Sequence, residues 1–152
     1  MTHWRLIAGA ASLALAGLFA PAVAQTAAAE SVEVAPGLKA SVVSLKRLPG
    51  KPLVQLDYVL ENTGEATVDL GEAGLAGIQG LSGIGLLDFA NETEYRIGTA
   101  DDCLCSDAPE DNALAAKARF EGWAWFSPPE TVNGPLAVRF GSARPILDVP
   151  LD

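Results

Sequence analysis

The chain has 152 residues, 49% of them hydrophobic, and 19 Asp and Glu against 10 Lys and Arg, a formal charge of −9. So acidic a balance argues against nucleic acid and against anionic lipid surfaces, since both select clustered Lys and Arg. Beyond the first two dozen residues no segment approaches the ~20 apolar residues of a membrane span, so the mature chain is not expected to insert.

The N-terminus has the three-part layout of a secretory signal. Arg5 supplies the positive charge, Leu6 to Phe19 is an uncharged Ala- and Leu-rich run, and Pro21 breaks it. Ala22-Val23-Ala24 then offers the small-x-small site of a signal peptidase, which predicts cleavage after Ala24 and a periplasmic or secreted product. The apolar run is short for an anchor, and no Cys lies near the site to take a lipid. Cleavage removes His3 and Met1, which are the only His and the only Met. A mature chain without imidazole cannot run Ser-His-Asp or Cys-His catalysis, and it lacks the ligands of His-based zinc and His- or Met-rich copper sites. No enzyme activity, resident metal or cofactor is expected.

Residues 25–36 are read as a flexible lead-in and residues 37–152 as one domain. Leu38–Leu45 reads as a strand, and Pro49-Gly50 as a turn. Leu53–Asn62 alternates, with Val54, Leu56, Tyr58 and Leu60 on one face and Gln55, Asp57, Val59 and Glu61 on the other. Asn62 to Glu65 is a tight connection into Ala66–Leu70, which predicts a hairpin. Glycines at 71, 74, 77, 80, 83 and 85 are interleaved with Leu and Ile, which fits an apolar loop over the sandwich edge. No Lys-Ser/Thr follows to make it a phosphate cradle.

Ile84–Phe89 and Glu94–Thr99 are the next strands. An acidic loop carrying both cysteines follows from Ala100 to Asn112, with a helical turn expected in Ala113–Ala118. Strands over Lys117–Phe126, Leu136–Phe140 and Ile146–Leu151 complete the chain. Seven or eight short strands without a helical period predict an all-β, immunoglobulin-like antiparallel sandwich.

Two features could carry chemistry. Cys103-Leu104-Cys105 is expected to oxidise in an exported protein. Side chains at i and i+2 of a strand point to opposite faces, so a bridge between them needs a local kink. A structural disulfide locking the loop competes with thiol–disulfide exchange, which the flanking Asp101, Asp102 and Asp107 would disfavour. Soft-metal capture is a third reading, with two sulfurs making an incomplete shell. The other feature lies in Lys117–Phe126. Alternation puts Ala118, Phe120, Ala124 and Phe126 on one face, and Trp123 and Trp125 on the other with Lys117, Arg119 and Glu121. If the Phe face is core, Trp123, Trp125 and Arg119 form an outward surface for a glycan, a peptide or an envelope protein. The simpler alternative, which small sandwiches favour, has the Gly-rich loop cover the indoles or a bulge turn one inward.

The order of motifs is Leu60-Glu61-Asn62-Thr63-Gly64, the Gly-rich loop, Gly85-Leu86-Leu87-Asp88, Tyr95-Arg96 and Cys103-Leu104-Cys105-Ser106. Then come Trp125-Phe126-Ser127-Pro128-Pro129-Glu130-Thr131-Val132 and Leu147-Asp148-Val149-Pro150. Over most of Leu38 to Leu151 this resembles the N-terminal β-sandwich module of bacterial exported proteins that carry an OmpA-like C-terminal domain. The resemblance implies a sandwich fold and an envelope address, and it implies no activity. The OmpA-like domain itself is not in this sequence. The sequence therefore points to an exported, non-catalytic binding module, with redox or soft-metal handling at the Cys103–Cys105 loop as the alternative.

Overall fold

The computed structural model describes residues 30–77, 80–100, 102–128, 130–132 and 134–152. The predicted signal Met1–Ala24 lies outside them, as do Asp101 and Pro129. The described residues form an all-β antiparallel sandwich with ten strands. The first sheet runs β1 (Ser31–Ala35), β2 (Leu38–Arg47), β3 (Val54–Asn62), β8 (Arg119–Phe126). The second runs β10 (Ile146–Val149), β9 (Leu136–Phe140), β5 (Ile84–Asp88), β6 (Thr93–Arg96). A two-stranded ribbon, β4 (Val68–Asp69) with β7 (Ala113–Leu114), sits apart from both.

Alternation built this architecture. Val54, Leu56, Tyr58 and Leu60 point inward from β3, as the period of two requires, and meet Ala124 and Phe126 of β8. Ile84, Leu86, Leu136, Val138 and Phe140 face them from the second sheet, and Tyr58 stacks edge-on against Phe140 with ring centroids 5.6 Å apart. The Gly-rich stretch closes one end of this core. Its Leu70, Leu75 and Leu81 are fully buried. The chain folds tightly enough there that a Cβ on Gly83 would lie 1.9 Å from the Gly74 carbonyl oxygen, so no other residue fits.

Three expectations change. Ser31–Ala35, in the predicted lead-in, is β1, turned onto β2 by Pro36-Gly37 with Gly37 at φ 79°. The predicted hairpin does not form, because β3 is central and both its edges are filled, by β2 and by β8. Val68–Asp69 pairs instead with Ala113–Leu114 across the molecule. The helical turn expected in Ala113–Ala118 is displaced to a single 3-10 turn at Glu110–Asn112. Positive φ at Asp111, Asn112 and Lys117 ends any helix there, two of them residue types that tolerate the left-handed region.

Candidate functional site

Gly122, Ala124 and Phe126 turn inward, so Arg119, Glu121, Trp123 and Trp125 take the outer face of the first sheet. Register then sets their neighbours: Gln55 opposite Trp125, Asp57 opposite Trp123, Val59 opposite Glu121 and Glu61 opposite Arg119. Thus the three predicted surface residues share one face. The described residues of the Gly-rich loop pack on the core through Leu75 and Leu81, and the unbroken β3–β8 register has no bulge to turn either ring inward. Trp123 is 37% exposed and Trp125 half-buried.

The two indoles lie with centroids 5.3 Å apart and planes 46° apart. Trp125 is the fixed member. Its Nε1–H donates to Gln55 Oε1 at 3.0 Å, and the Lys51 ammonium sits 5.3 Å from the ring centroid. Gln55 in turn donates through Nε2 to Asp57 Oδ1 at 2.6 Å. Asp57 Oδ2 accepts from Ser44 Oγ at 2.7 Å and from Lys46 Nζ at 3.0 Å. Burial alone would raise the Asp57 carboxyl, but these bonds from Gln55, Ser44 and Lys46 outweigh it and hold it below the usual carboxylate range. One continuous network therefore runs from the indole N–H to the Lys46 ammonium.

Beyond Trp123, away from Trp125, the face opens into a groove of about 380 Å³ lined by Val43, Asp57, Val59, Arg119, Glu121 and Trp123. Val43 is there because β2 bulges. Val42 pairs with Tyr58 and Ser44 with Asp57, which leaves Val43 as the extra residue, 62% exposed. Arg119 Nη2 bridges Glu121 Oε1 at 3.0 Å at the groove's end. The alternation of β3 already put Gln55, Asp57 and Val59 on the face opposite the core residues. The sequence held no signal that β8 pairs with β3 in the register that sets them beside the indoles, nor that Val43 is a bulge.

The cysteine loop flanks the same strand. Cys103 and Cys105 are bonded to each other with Cα atoms 5.3 Å apart, and the chain bends at Leu104 between them. Leu104–Ser106 then lies along the edge of β8: the Trp125 amide donates to the Leu104 carbonyl at 2.9 Å, and the Ser106 amide to the Trp123 carbonyl at 2.9 Å. Leu81 reaches up from the Gly-rich loop to donate to the Ser106 carbonyl at 3.2 Å. Cys105 is buried, whereas Cys103 is half-buried and lines a second cleft, about 500 Å³, with Glu94, Arg96 and Arg139. Arg139 and Glu94 are ion-paired in that cleft. Among the described residues no three His, Cys, Asp or Glu side chains gather as a metal site.

No family model, curated protein or solved structure matches the chain.

Proposed function

We propose that the chain is an exported, non-catalytic binding module of the cell envelope, and that it engages a protein or glycan through the Trp123–Trp125 face. The observation that carries this reading is an indole pair set on the outer side of a sheet whose core is already filled. Trp125 is anchored within the sheet surface, while Trp123 presents its ring to solvent, and aromatic residues are enriched among the anchors of interfaces. The predicted export signal, the likeness to an exported module and the lack of His beyond His3 point the same way. The test uses the full chain with Trp4 replaced by Phe and indole-selective excitation, so that the emission comes from Trp123 and Trp125. Acrylamide should quench a large fraction of the emission. Immobilised protein should capture an envelope component that Trp123→Ala loses and Phe89→Ala, altering an exposed side chain of another surface, retains. Two shielded indoles, or capture indifferent to Trp123, would remove the proposal.

One observation favours a second reading, thiol–disulfide exchange at Cys103–Cys105. The half-buried Cys103 lines a cleft in which Glu94 is paired with Arg139 and Arg96 adds a further cation, and a cationic neighbour stabilises a thiolate once the bridge is reduced. Titration with dithiothreitol followed by mass spectrometry checks it. A bridge that persists in mild reductant would exclude exchange.

A further inference from the structure

We infer that the groove beside Trp123 binds an uncharged glycan, with a sugar ring lying on the indole and its hydroxyls bonded to Asp57, Glu121 and Arg119. This rests on the reading of the Trp face as a binding surface, and it names the ligand class.

The indole that walls the groove rests against a second, better-anchored ring: Trp125 packs on Trp123 and is itself tied to Gln55 and Lys51, which limits the freedom Trp123 has to lose on binding. A flat aromatic wall suits the C–H face of a pyranose, which is apolar although its rim is hydroxylated. Val43 supplies a second apolar contact across the groove.

The polar lining decides the charge of the occupant. Asp57 is already matched by Lys46 at 3.0 Å, and Glu121 by Arg119 at 3.0 Å. The groove is therefore close to electrically balanced, and it offers a charged ligand no excess of the opposite sign. Hydroxyls can be added to these carboxylates and to the guanidinium without breaking one, since each carboxylate oxygen accepts more than one bond. A polyanion would in addition approach a chain of charge −9.

An extended peptide is the natural rival, because strands recruit peptides along their edges. Here the edge of β8 beside the indoles is occupied by Leu104–Ser106, and its other edge by β3. Recognition at this place must come from side chains on the face, which fits a sugar better than a strand. At about 380 Å³ the groove lies within the range of small-ligand sites, ~300–1,000 Å³, room for one or two sugar units of a longer chain.

The experiment is isothermal titration of the full chain with hexasaccharides of the cello-, malto- and chito-oligosaccharide series, and with a polygalacturonate fragment as the charged comparison. At least one neutral series should bind, with an affinity unchanged by added salt. Trp123→Ala should weaken it about tenfold or more. Glu121→Gln should weaken it several-fold, while Trp123→Phe, which keeps a ring, and Phe89→Ala should retain it. Unfolding midpoints matched to the parent chain exclude misfolding as the cause of a loss. The inference is overturned if no neutral hexasaccharide binds, if binding ignores Trp123, or if polygalacturonate binds in preference. Should glycans fail while capture from envelope extract still requires Trp123, the ligand class is wrong and the binding face stands. Capture that is also indifferent to Trp123 brings down both.

Discussion

Tyr58 lies in the middle of β3 with its ring in the core, and its hydroxyl is buried without a hydrogen-bond partner among the described residues. The ring fits because its cross-strand neighbour is Gly122: a Cβ there would lie 2.5 Å from the Tyr58 hydroxyl and from Cζ. Gly122→Ala is therefore expected to destabilise the fold by about 1–3 kcal/mol through overpacking. Tyr58→Phe removes an oxygen that makes no bond, and should be neutral or stabilising by about 1 kcal/mol. The double variant should recover part of the Gly122→Ala loss, since the hydroxyl is one of the clashing atoms; urea unfolding of the three variants measures this coupling. Asp57 gives the pH counterpart. Its folded carboxyl is held below the usual range, so its stabilisation is fully present above the unfolded value of about 3.9 and is lost as pH falls through the folded one. Asp57→Asn should be less stable than the parent near neutrality, and that gap should close in acid, as melting temperatures across pH will show.

At the scale of elements, Asn62 decides how the strands are joined. It is fully buried at the end of β3, and its Nδ2 donates to the carbonyls of Ala66 at 2.8 Å, Leu114 at 2.9 Å and Ala115 at 3.0 Å. Its Oδ1 accepts from the Gly64 amide at 2.9 Å. One side chain thus ties the approach to β4 and the end of β7 to the same point, beside the place where these two strands pair. Asn62→Ala would take the side-chain donor from the buried Leu114 carbonyl and should cost about 1–3 kcal/mol, and Asn62→Asp more, because a carboxylate would face the same carbonyl oxygens. Chemical denaturation compares the two. The sequence showed the long elements well, since β2, β3, β5, β8 and β9 each carry a period of two or a bounded apolar run. It could not show the partner of β4, because an Asn in a turn reads as local turn chemistry while its bonds here span more than fifty residues. β1 was hidden for a related reason: five residues with two valines acquire strand character only when β2 lies alongside. The site was legible by half. Alternation gave the outward indoles and Arg119, but Asp57, Gln55 and Val43 join them only through cross-strand register and a bulge.

In the whole molecule the two sheets are sewn together along two seams. At one, the chain leaving β6 crosses to β8: Ile97 bridges Phe126, the Gly98 amide donates to the Trp125 carbonyl at 2.8 Å, and the Leu104 amide returns to the Gly98 carbonyl at 2.9 Å. At the other, the chain leaving β10 reaches β2, where the Asp152 amide donates to the Leu45 carbonyl at 3.0 Å and Arg47 to the Asp152 carbonyl at 2.8 Å. The disulfide belongs to the first seam alone, because it holds the bend that lays Leu104–Ser106 against β8. The binding face depends on that arrangement, for the same residues cover the edge beside Trp123 and Trp125. Breaking the bridge should therefore loosen one seam and leave the other. In Cys103→Ser, Cys105→Ser, the amides of Leu104, Ser106 and Trp125 should exchange with deuterium about tenfold or more faster, for a local loss of about 1.4 kcal/mol or more, while those of Arg47 and Asp152 keep their protection. Uniform acceleration at both seams would mean instead that the disulfide stabilises the sandwich as a whole, and the loop would then have no separate control over the edge of the Trp face.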